Sequence, residues 1–215
     1  AVDLLVVGRF ATSADVSAVA TGSNMMMTIT NPLSSFAMGL TVLLGLQIGQ
    51  GQAKRAGATV GAGIALFAGI AVVITFFLVT FTATLATWMR APEEAFSQTV
   101  AYVRICGGGT LVIVFYNLLG SVFRGIGDSK TPLKAVAIAC AVNIAGDLFF
   151  VSVLHMGAAG AAIATVLAQA VSVVISFLLI RRKQLPFTLE RAHLRFNRPV
   201  ISQVVGLELP IALQD

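Results

Sequence analysis

Charged residues are scarce in this sequence, at 11% of its 215 residues, whereas apolar residues make up 57%. A soluble globular domain carries about 25% charged residues, so this scarcity excludes that class of protein. Only two cysteines and two histidines are present, too few for a disulfide framework and little basis for a metal centre. Long apolar runs separated by short basic segments fill the sequence instead. The composition therefore predicts an all-α polytopic membrane protein.

Hydropathy predicts five complete membrane spans and the end of one more. Residues 1–8 are typical of the last part of a first helix, and each complete span has the roughly 20 residues that cross a bilayer. Pro32 should kink the second span. Apolar stretches begin and end abruptly at the termini, so we expect the sequence to be cut at both ends. The complete spans are predicted at 23–49, 58–89, 96–122, 133–154 and 158–180.

Lysine and arginine divide unequally between the two sets of connections, eleven on one side and three on the other. The positive-inside rule makes the richer set cytoplasmic, together with the amino terminus. The prediction is a multi-pass protein of the inner or plasma membrane, with cytoplasmic loops after the second, fourth and sixth helices. Basic residues in these places indicate topology and not a nucleic-acid partner. Residues 184–206 mix basic with apolar side chains and predict an amphipathic cytoplasmic linker on the membrane surface, with a solvated loop as the alternative.

Polar residues recur with helical spacing inside three of the apolar spans. Such stripes avoid lipid and face either one another or a wet cavity. Interhelical hydrogen bonding is the simpler interpretation of one stripe, but three together favour a cavity, with Tyr102, Asn117 and Gln169 among its lining. The stripes comprise Asn24, Thr28, Asn31 and Ser35 in the second span; Tyr102, Thr110, Asn117 and Ser121 in the fourth; and Thr165, Gln169, Ser172 and Ser176 in the sixth.

Asp147 lies inside the apolar run AVAIACAVNIAGDLFFVSVL. A carboxylate near the middle of a span costs about 2.5–3.5 kcal/mol on insertion scales, so it needs a partner, a proton or water. Asn143 lies four residues earlier and projects from the same helix face. Counting 1.5 Å per residue from a turn at Met156 puts Asp147 and Thr165 each about 13 Å below that turn. We therefore expect Thr165 to meet Asp147 across the hairpin.

The same counting places Asp3 and Tyr102 at a similar depth, in the outer half of the membrane. Two carboxylates surrounded by amide and hydroxyl oxygens suit a proton or a sodium ion. The predicted coupling residues, which would also be metal ligands only if sodium couples, are Asp3, Asn143, Asp147 and Thr165. A structural acid bonded to Asn143 is the alternative for Asp147. We see no catalytic constellation, so the chain is predicted not to be an enzyme and to need no cofactor beyond the coupling ion.

Four segments, in order along the chain, resemble the multidrug and toxic compound extrusion (MATE) transporters. FRGIGDSKTP (123–132) is similar to the signature after their fourth helix, and VDLLVVGR (2–9) to the end of their first. LGLQIGQGQAKRAG (44–57) is similar to their second-to-third loop, and LELPIALQ (207–214) to the start of their seventh helix. This order along the chain is more specific than any one motif.

The resemblance implies the fold of a twelve-helix transporter built from two six-helix lobes. Residues 1–183 would be the amino-terminal lobe with an incomplete first helix, 184–206 the inter-lobe linker and 207–215 the start of helix seven. The partners would be small organic substrates, the lipid bilayer and a missing carboxy-terminal lobe of helices 7–12.

The implied function is secondary antiport, in which bulky, often cationic, compounds leave in exchange for protons or sodium by alternating access. The resemblance is to the DinF-like branch of the family. It implies that the residues of that branch's ion or proton site correspond to Asp3, Asn143, Asp147 and Thr165 in this chain, and that Tyr102 lines the cavity. The alternatives are a lipid-linked oligosaccharide flippase of the same superfamily, which a more basic cavity would favour, and a channel-like or non-transporting membrane protein.

Overall fold

The computed structural model describes residues 2–182, 185–187, 199 and 202, and this part of the chain contains helices and no strands. A 3-10 turn, Glu93–Ala95, precedes the fifth α-helix, and a π-helical segment, Leu148–Val153, continues the seventh. The all-α prediction is confirmed. The α-helices are α1 (Val2–Phe10), α2 (Ser13–Gly49), α3 (Ala53–Thr80), α4 (Thr82–Trp88), α5 (Phe96–Gly108), α6 (Thr110–Gly125), α7 (Lys130–Asp147) and α8 (Gly157–Arg182).

Four of these helices are long and apolar enough to cross a membrane: α2, α3, α7 with its π-helical continuation, and α8. The pair α5 and α6 qualifies as a fifth span, bent by 52° at the break between them. The five complete spans predicted from hydropathy each correspond to one of these. Two ends of the bundle can then be defined. The hairpin end is where α7 is followed by α8, and the basic end is where α8 finishes at Arg181 and Arg182.

The second helix begins at Ser13, well before its predicted start at residue 23. Thr12 caps it, because its hydroxyl accepts a hydrogen bond from the Asp15 amide while the Asp15 carboxylate accepts one from the Thr12 amide. This reciprocal arrangement satisfies two amides that a helix start would leave without partners. Hydropathy missed the extension because the added turns are polar. Pro32 lies inside a helix that continues on both sides of it.

Close helix packing explains the break in the fourth span. A Cβ placed at Gly109 would lie 2.6 Å from Cγ2 of Val166 on α8, so a side chain there would force the helices apart. The bend at this glycine lets α8 pack against the junction of α5 and α6. The third span is likewise interrupted, at Phe81, between α3 and α4. Average hydropathy cannot locate either interruption, because each lies within a run whose mean hydropathy stays high.

Large apolar side chains are exposed on the outside of the bundle, as expected where lipid replaces water. Examples are Phe76 and Phe77 on α3, Leu133 on α7 and Phe177 on α8. Inside, a cluster of buried residues at the basic end includes Phe187, the last described residue of the segment 185–187. The start of the predicted linker thus packs against the bundle. The rest of the linker, apart from 199 and 202, and the predicted start of helix seven lie outside the described residues.

Candidate functional site

Three helices meet at a chain of hydrogen bonds. Asp3 lies in the first turn of α1, and its Oδ2 accepts a hydrogen bond of 3.2 Å from Oγ1 of Thr165 on α8. Nδ2 of Asn143, on α7, donates to the same Oγ1 at 3.4 Å. The structure thus brings together residues 162 positions apart in the chain. The contact between Asp3 and Thr165 agrees with the depth counting, which put these two residues at a similar level, and Asn143 joins them from the helix face that it shares with Asp147.

The Thr165 hydroxyl has two acceptors but only one proton to donate. Besides Asp3, it lies 3.0 Å from the carbonyl oxygen of Ala161, one turn earlier on α8. It can donate to the Asp3 carboxylate or to this carbonyl, but not fully to both. If Asp3 carried a proton, the carboxyl itself would become a donor and the hydroxyl would be free to donate to Ala161. The hydroxyl therefore has two arrangements that differ by the protonation of Asp3.

Asp147 is completely buried, and within the described part of the chain no hydrogen-bond donor reaches either carboxyl oxygen; its polar neighbour is the Asp3 carboxyl, within hydrogen-bonding range. The Asp3 carboxylate is close enough to interact with it electrostatically. Two ionised carboxylates are both acceptors and repel each other, and a buried charge without a partner is costly. A single proton shared by the pair, or a small cation between them, would relieve both penalties. The arrangement is therefore suited to hold one positive charge.

The expected contact between Thr165 and Asp147 is not among these hydrogen bonds, since Thr165 bonds to Asp3 and Asn143 instead. The depth counting assumed an ideal α-helix from Asp147 to Met156. The structure has a π-helical segment over Leu148–Val153 in that interval. A π-helix holds more residues per turn, so it rotates the preceding residues relative to the hairpin. Depth was predicted approximately, but the direction in which Asp147 points was not.

Tyr102, on α5, forms part of the wall of the site. It is 3% exposed and lies close enough to Asp3 and Asp147 to interact with both electrostatically. Its ring packs directly on α2, where a Cβ placed at Gly22 would lie 2.4 Å from Cδ1 of the ring. The glycine thus leaves the space that the aromatic ring fills. Any larger residue at this position would displace the Tyr102 ring.

The contact between α7 and α8 depends on a second glycine. A Cβ placed at Gly146 would lie 2.9 Å from Cβ of Ala164. These two small residues directly precede Asp147 and Thr165 in the chain. Because small residues let helix backbones approach closely, their contact brings the polar groups of α7 and α8 to one another.

Two cavities meet at this cluster. The larger, of about 360 Å³, is lined by Asp3, Tyr102, Thr165 and Gln169, together with residues of α2 that include Asn24, Met26 and Met27. The second, of about 240 Å³, lies between α6, α7 and α8 and is lined by residues that include Tyr116, Asn143, Thr165 and Gln169. Asn117 lines a third and smaller cavity, nearer the basic end.

Two contributions went unrecognised in the sequence. Tyr116 lines two of the cavities, and the residue carries no pattern that distinguishes it from its apolar neighbours. Asp15 holds the hairpin end together: besides capping α2, its Oδ1 accepts a hydrogen bond of 3.0 Å from the amide of Ala158 at the start of α8. Thr12 and Asp15 have the three-residue spacing of a capping box, which is the signal that would have found Asp15.

Residues 2–182, 185–187, 199 and 202 contain no group of three or more His, Cys, Asp and Glu side chains placed to hold a metal ion. The predicted sodium ligands are of a different kind, since they combine two carboxylates with an amide and a hydroxyl. A sodium site at Asp3, Asn143, Asp147 and Thr165 stays a prediction.

Comparison with known proteins gives a consistent set of relatives. Residues 1–149 match the protein family described as MatE. The chain is 30% identical over 198 residues to the probable multidrug resistance protein YpnP of Bacillus subtilis (strain 168), covering 88% of this chain and 43% of that protein. It is 24% identical over 221 residues to a second protein of that organism, the probable multidrug resistance protein YoeA, covering 99% of this chain and 47% of that one.

Solved structures show the same fold. The chain superimposes with a TM-score of 0.89 on the inward-facing conformation of a multidrug resistance MATE family transporter of the MOP superfamily, at 23% identity. The superposition covers 97% of this chain and 47% of that one. The chain thus spans about half the length of the relatives it matches.

Proposed function

This chain belongs to the MatE family, and from that membership we propose that it forms the amino-terminal lobe of a secondary active antiporter. The complete protein would export bulky, often cationic, organic compounds in exchange for a proton or a sodium ion. A carboxy-terminal lobe of helices 7–12 would supply the other half of the translocation path. The relatives are transporters, and the proposed activity is transport without chemical change of the substrate.

The observation that carries this proposal is the buried Asp147, which has no hydrogen-bond donor and whose polar neighbour is a second acid on another helix. A purely structural acid would be expected to have its hydrogen bonds satisfied. An acid that must release and rebind a cation instead keeps its oxygens unsatisfied in the empty site, so that the bound cation satisfies them. Asp3, Thr165 and Asn143 would then complete the site from α1, α8 and α7.

Ion binding would act on the relative positions of these helices. With the site empty, repulsion between Asp3 and Asp147 favours an arrangement in which α1 moves away from α7. With a cation bound, the repulsion is removed and Thr165 can adopt its second hydrogen-bonding arrangement. A ligand shifts a conformational equilibrium by as much as its affinities for the two states differ. Coupling would therefore come from a cation site that is well formed in only one arrangement of α1.

The larger cavity suits an organic cation. Its volume of about 360 Å³ falls within the roughly 300–1,000 Å³ of small-molecule sites. Met26 and Met27 offer flexible apolar side chains that adapt to different shapes, while Asp3 supplies a negative charge in the same wall. Because Asp3 also belongs to the ion site, cationic substrate and coupling ion would compete for one carboxylate. Such competition is what an exchanger requires.

An Asp147→Asn variant of the complete protein tests the proposal. The amide keeps the size of the carboxyl group but neither carries a negative charge nor takes up a proton, so we expect efflux of a fluorescent cationic dye from cells to fall to background. The matched control is Glu94→Gln, which neutralises an exposed acid in the short 3-10 turn before α5 and should leave efflux unchanged. Normal efflux by Asp147→Asn at normal expression would refute the coupling role.

A further inference from the structure

The third cavity lies where three helices meet at the basic end of the lobe. Its lining comes from the second half of α6, the first two turns of α7 and the second half of α8, and its volume is about 50 Å³. Sites for small organic molecules typically have roughly 300–1,000 Å³. The cavity can therefore hold a small chemical group, but not a transported organic compound. Its polar lining comprises Tyr116, Asn117, Arg124, Ser172 and Ser176.

Arg124 supplies the positive charge of this cavity. A helical side chain points back towards the start of its helix, which for α6 means away from the basic end and into the membrane. A Cβ placed at Gly120 would lie 3.5 Å from Nη1 of Arg124, and Arg124 is close enough to Tyr116 to interact with it electrostatically. The guanidinium is therefore held along α6, in the space that Gly120 leaves open beside the cavity.

Ser172 provides a hydrogen-bond donor from the opposite wall. The residue is fully buried, and within the described part of the chain its hydroxyl forms no hydrogen bond. Buried polar groups are almost always satisfied by a partner, so we expect one to enter the cavity. Ser176, one turn later on α8, is also buried and lines the same space. Both hydroxyls and the guanidinium can donate hydrogen bonds, so an anionic acceptor would satisfy the two walls together.

The positive charge of the cavity is not balanced by an acid in its wall. Its lining residues, as far as the structure describes the chain, include no Asp or Glu. Asp128, the acid nearest to Arg124 in the sequence, caps α7, where its Oδ1 accepts hydrogen bonds from the amides of Lys130 and Thr131. The cavity therefore favours an anion from outside the chain over an internal carboxylate.

The position of the cavity indicates a lipid as the source of that anion. Ser176 lies six residues, about 9 Å, before the end of α8, which is within reach of lipid headgroups. Val136 in the cavity wall and Leu133, one turn before it on α7, are exposed apolar side chains that an acyl chain can cover. Basic pockets between membrane helices on the cytoplasmic side bind anionic headgroups. Four more basic residues lie near the same end: Lys130, Lys134, Arg181 and Arg182.

We propose that the third cavity binds the phosphate of an anionic phospholipid from the leaflet at the basic end. Arg124 forms a charge-assisted hydrogen bond with a phosphate oxygen, and Ser172 and Ser176 donate to the phosphate from α8. One acyl chain follows α7 over Val136 and Leu133. The bound lipid thereby joins α6, α7 and α8 at this end. The site is separate from the carboxylate pair, and lipid binding does not depend on the antiport proposed above.

A lipid titration tests the proposal on the complete protein in detergent. Phosphatidylglycerol would be added stepwise and the bound lipid counted by native mass spectrometry. We expect Arg124→Gln and Ser172→Ala each to weaken binding about tenfold, because each loses one hydrogen bond to a charged group. The matched control is Lys54→Gln, which removes an exposed positive charge near the start of α3 and should leave binding unchanged. Wild-type affinity in both cavity variants, or an equal loss in the control, would overturn the proposal.

Two further ligands separate the phosphate from the rest of the lipid. Diacylglycerol has the acyl chains without the phosphate, so its binding should be weak and equal in the wild type and Arg124→Gln. Inorganic phosphate at millimolar concentration has the charge without the chains and should not displace phosphatidylglycerol. Displacement by inorganic phosphate would overturn the lipid as the source of the anion. Diacylglycerol binding as tight as that of phosphatidylglycerol would overturn recognition of the phosphate.

Discussion

At the residue scale, Thr165 connects the two acidic helices through a hydroxyl with one proton and competing acceptors. Its position between Asp3 and Asn143 makes it sensitive to the charge of Asp3. A side chain of this kind does not itself need to titrate. It links a carboxyl group on α1 to the backbone of α8, because the one hydroxyl proton can be donated either to Oδ2 of Asp3 or to the carbonyl oxygen of Ala161.

Replacing this hydroxyl should reduce transport. Thr165→Val keeps the shape of the side chain but removes a hydrogen bond to a charged group, worth about 1.5–3 kcal/mol, so we expect efflux to slow by roughly tenfold to a hundredfold. Thr165→Ser keeps the hydroxyl and should retain most of the activity. Initial rates of dye efflux by the complete protein measure both. Equal rates for the valine and serine variants would show that the hydroxyl has no role.

Several site residues were predictable from the sequence because a charge in an apolar run has few explanations. Counting depth placed Asp3 and Thr165 at a similar level, and the four-residue spacing from Asp147 added Asn143. The structure shows that Thr165 forms hydrogen bonds with both Asp3 and Asn143. The orientation of Asp147 was not predictable, since it depends on the π-helical segment after it. Nothing in an apolar stretch such as LFFVSV indicates where a helix will widen.

At the element scale, α8 contacts both α7 and the junction of α5 and α6. It approaches α7 through Gly146 and Ala164, and the junction of α5 and α6 through Gly109 and Val166. At the hairpin end, the Asp15 carboxylate accepts hydrogen bonds from the Thr12 amide, which caps α2, and from the Ala158 amide at the start of α8. These contacts fix the height and the rotation of α8, and they therefore fix the position of Thr165.

Enlarging Gly146 should destabilise the bundle. In Gly146→Ala the new methyl group would lie 2.9 Å from Cβ of Ala164, too close for two carbon atoms. Overpacking typically costs about 1–3 kcal/mol, so we expect a lower free energy of unfolding in detergent. Gly108→Ala is the control, because a Cβ there meets nothing within 4 Å. Equal losses in both variants would indicate a general effect of removing glycine from a helix.

The helices themselves were predictable, but not all their ends. Hydropathy located the five complete spans because each must cross the same apolar thickness. It placed the start of α2 too late because polar residues such as Thr12 and Asp15 cap a helix as readily as they form a loop. The break at Gly109 depends on Val166, which is distant in sequence.

At the scale of the whole molecule, the chain spans about half the length of its relatives. The candidate site lies within this half, since Asp3, Asn143 and Thr165 are bonded to one another without help from another chain. Ion binding would thus be a property of this lobe, whereas export would require the cleft between two lobes. The distribution of lysine and arginine predicts an orientation for the lobe, with the basic end on the cytoplasmic side.

The orientation can be checked by the accessibility of single cysteines in the variant without Cys106 and Cys140. Lys54 is exposed near the start of α3, and Glu94 is exposed in the connection that precedes α5. In intact cells, a membrane-impermeant maleimide should label Glu94→Cys, while Lys54→Cys should react only after permeabilisation, because the positive-inside rule places it in the cytoplasm. The reverse pattern would invert the proposed topology.

The central claim is that Asp147 and its neighbours exchange a cation for substrate. The most direct measurement is counter-flux in proteoliposomes containing the complete protein, with proton and sodium movement followed while a substrate gradient is imposed. The account predicts that substrate movement drives movement of a proton or a sodium ion in the opposite direction in the wild type, and that Asp147→Asn shows neither. Equal counter-flux in the wild type and Asp147→Asn would contradict it.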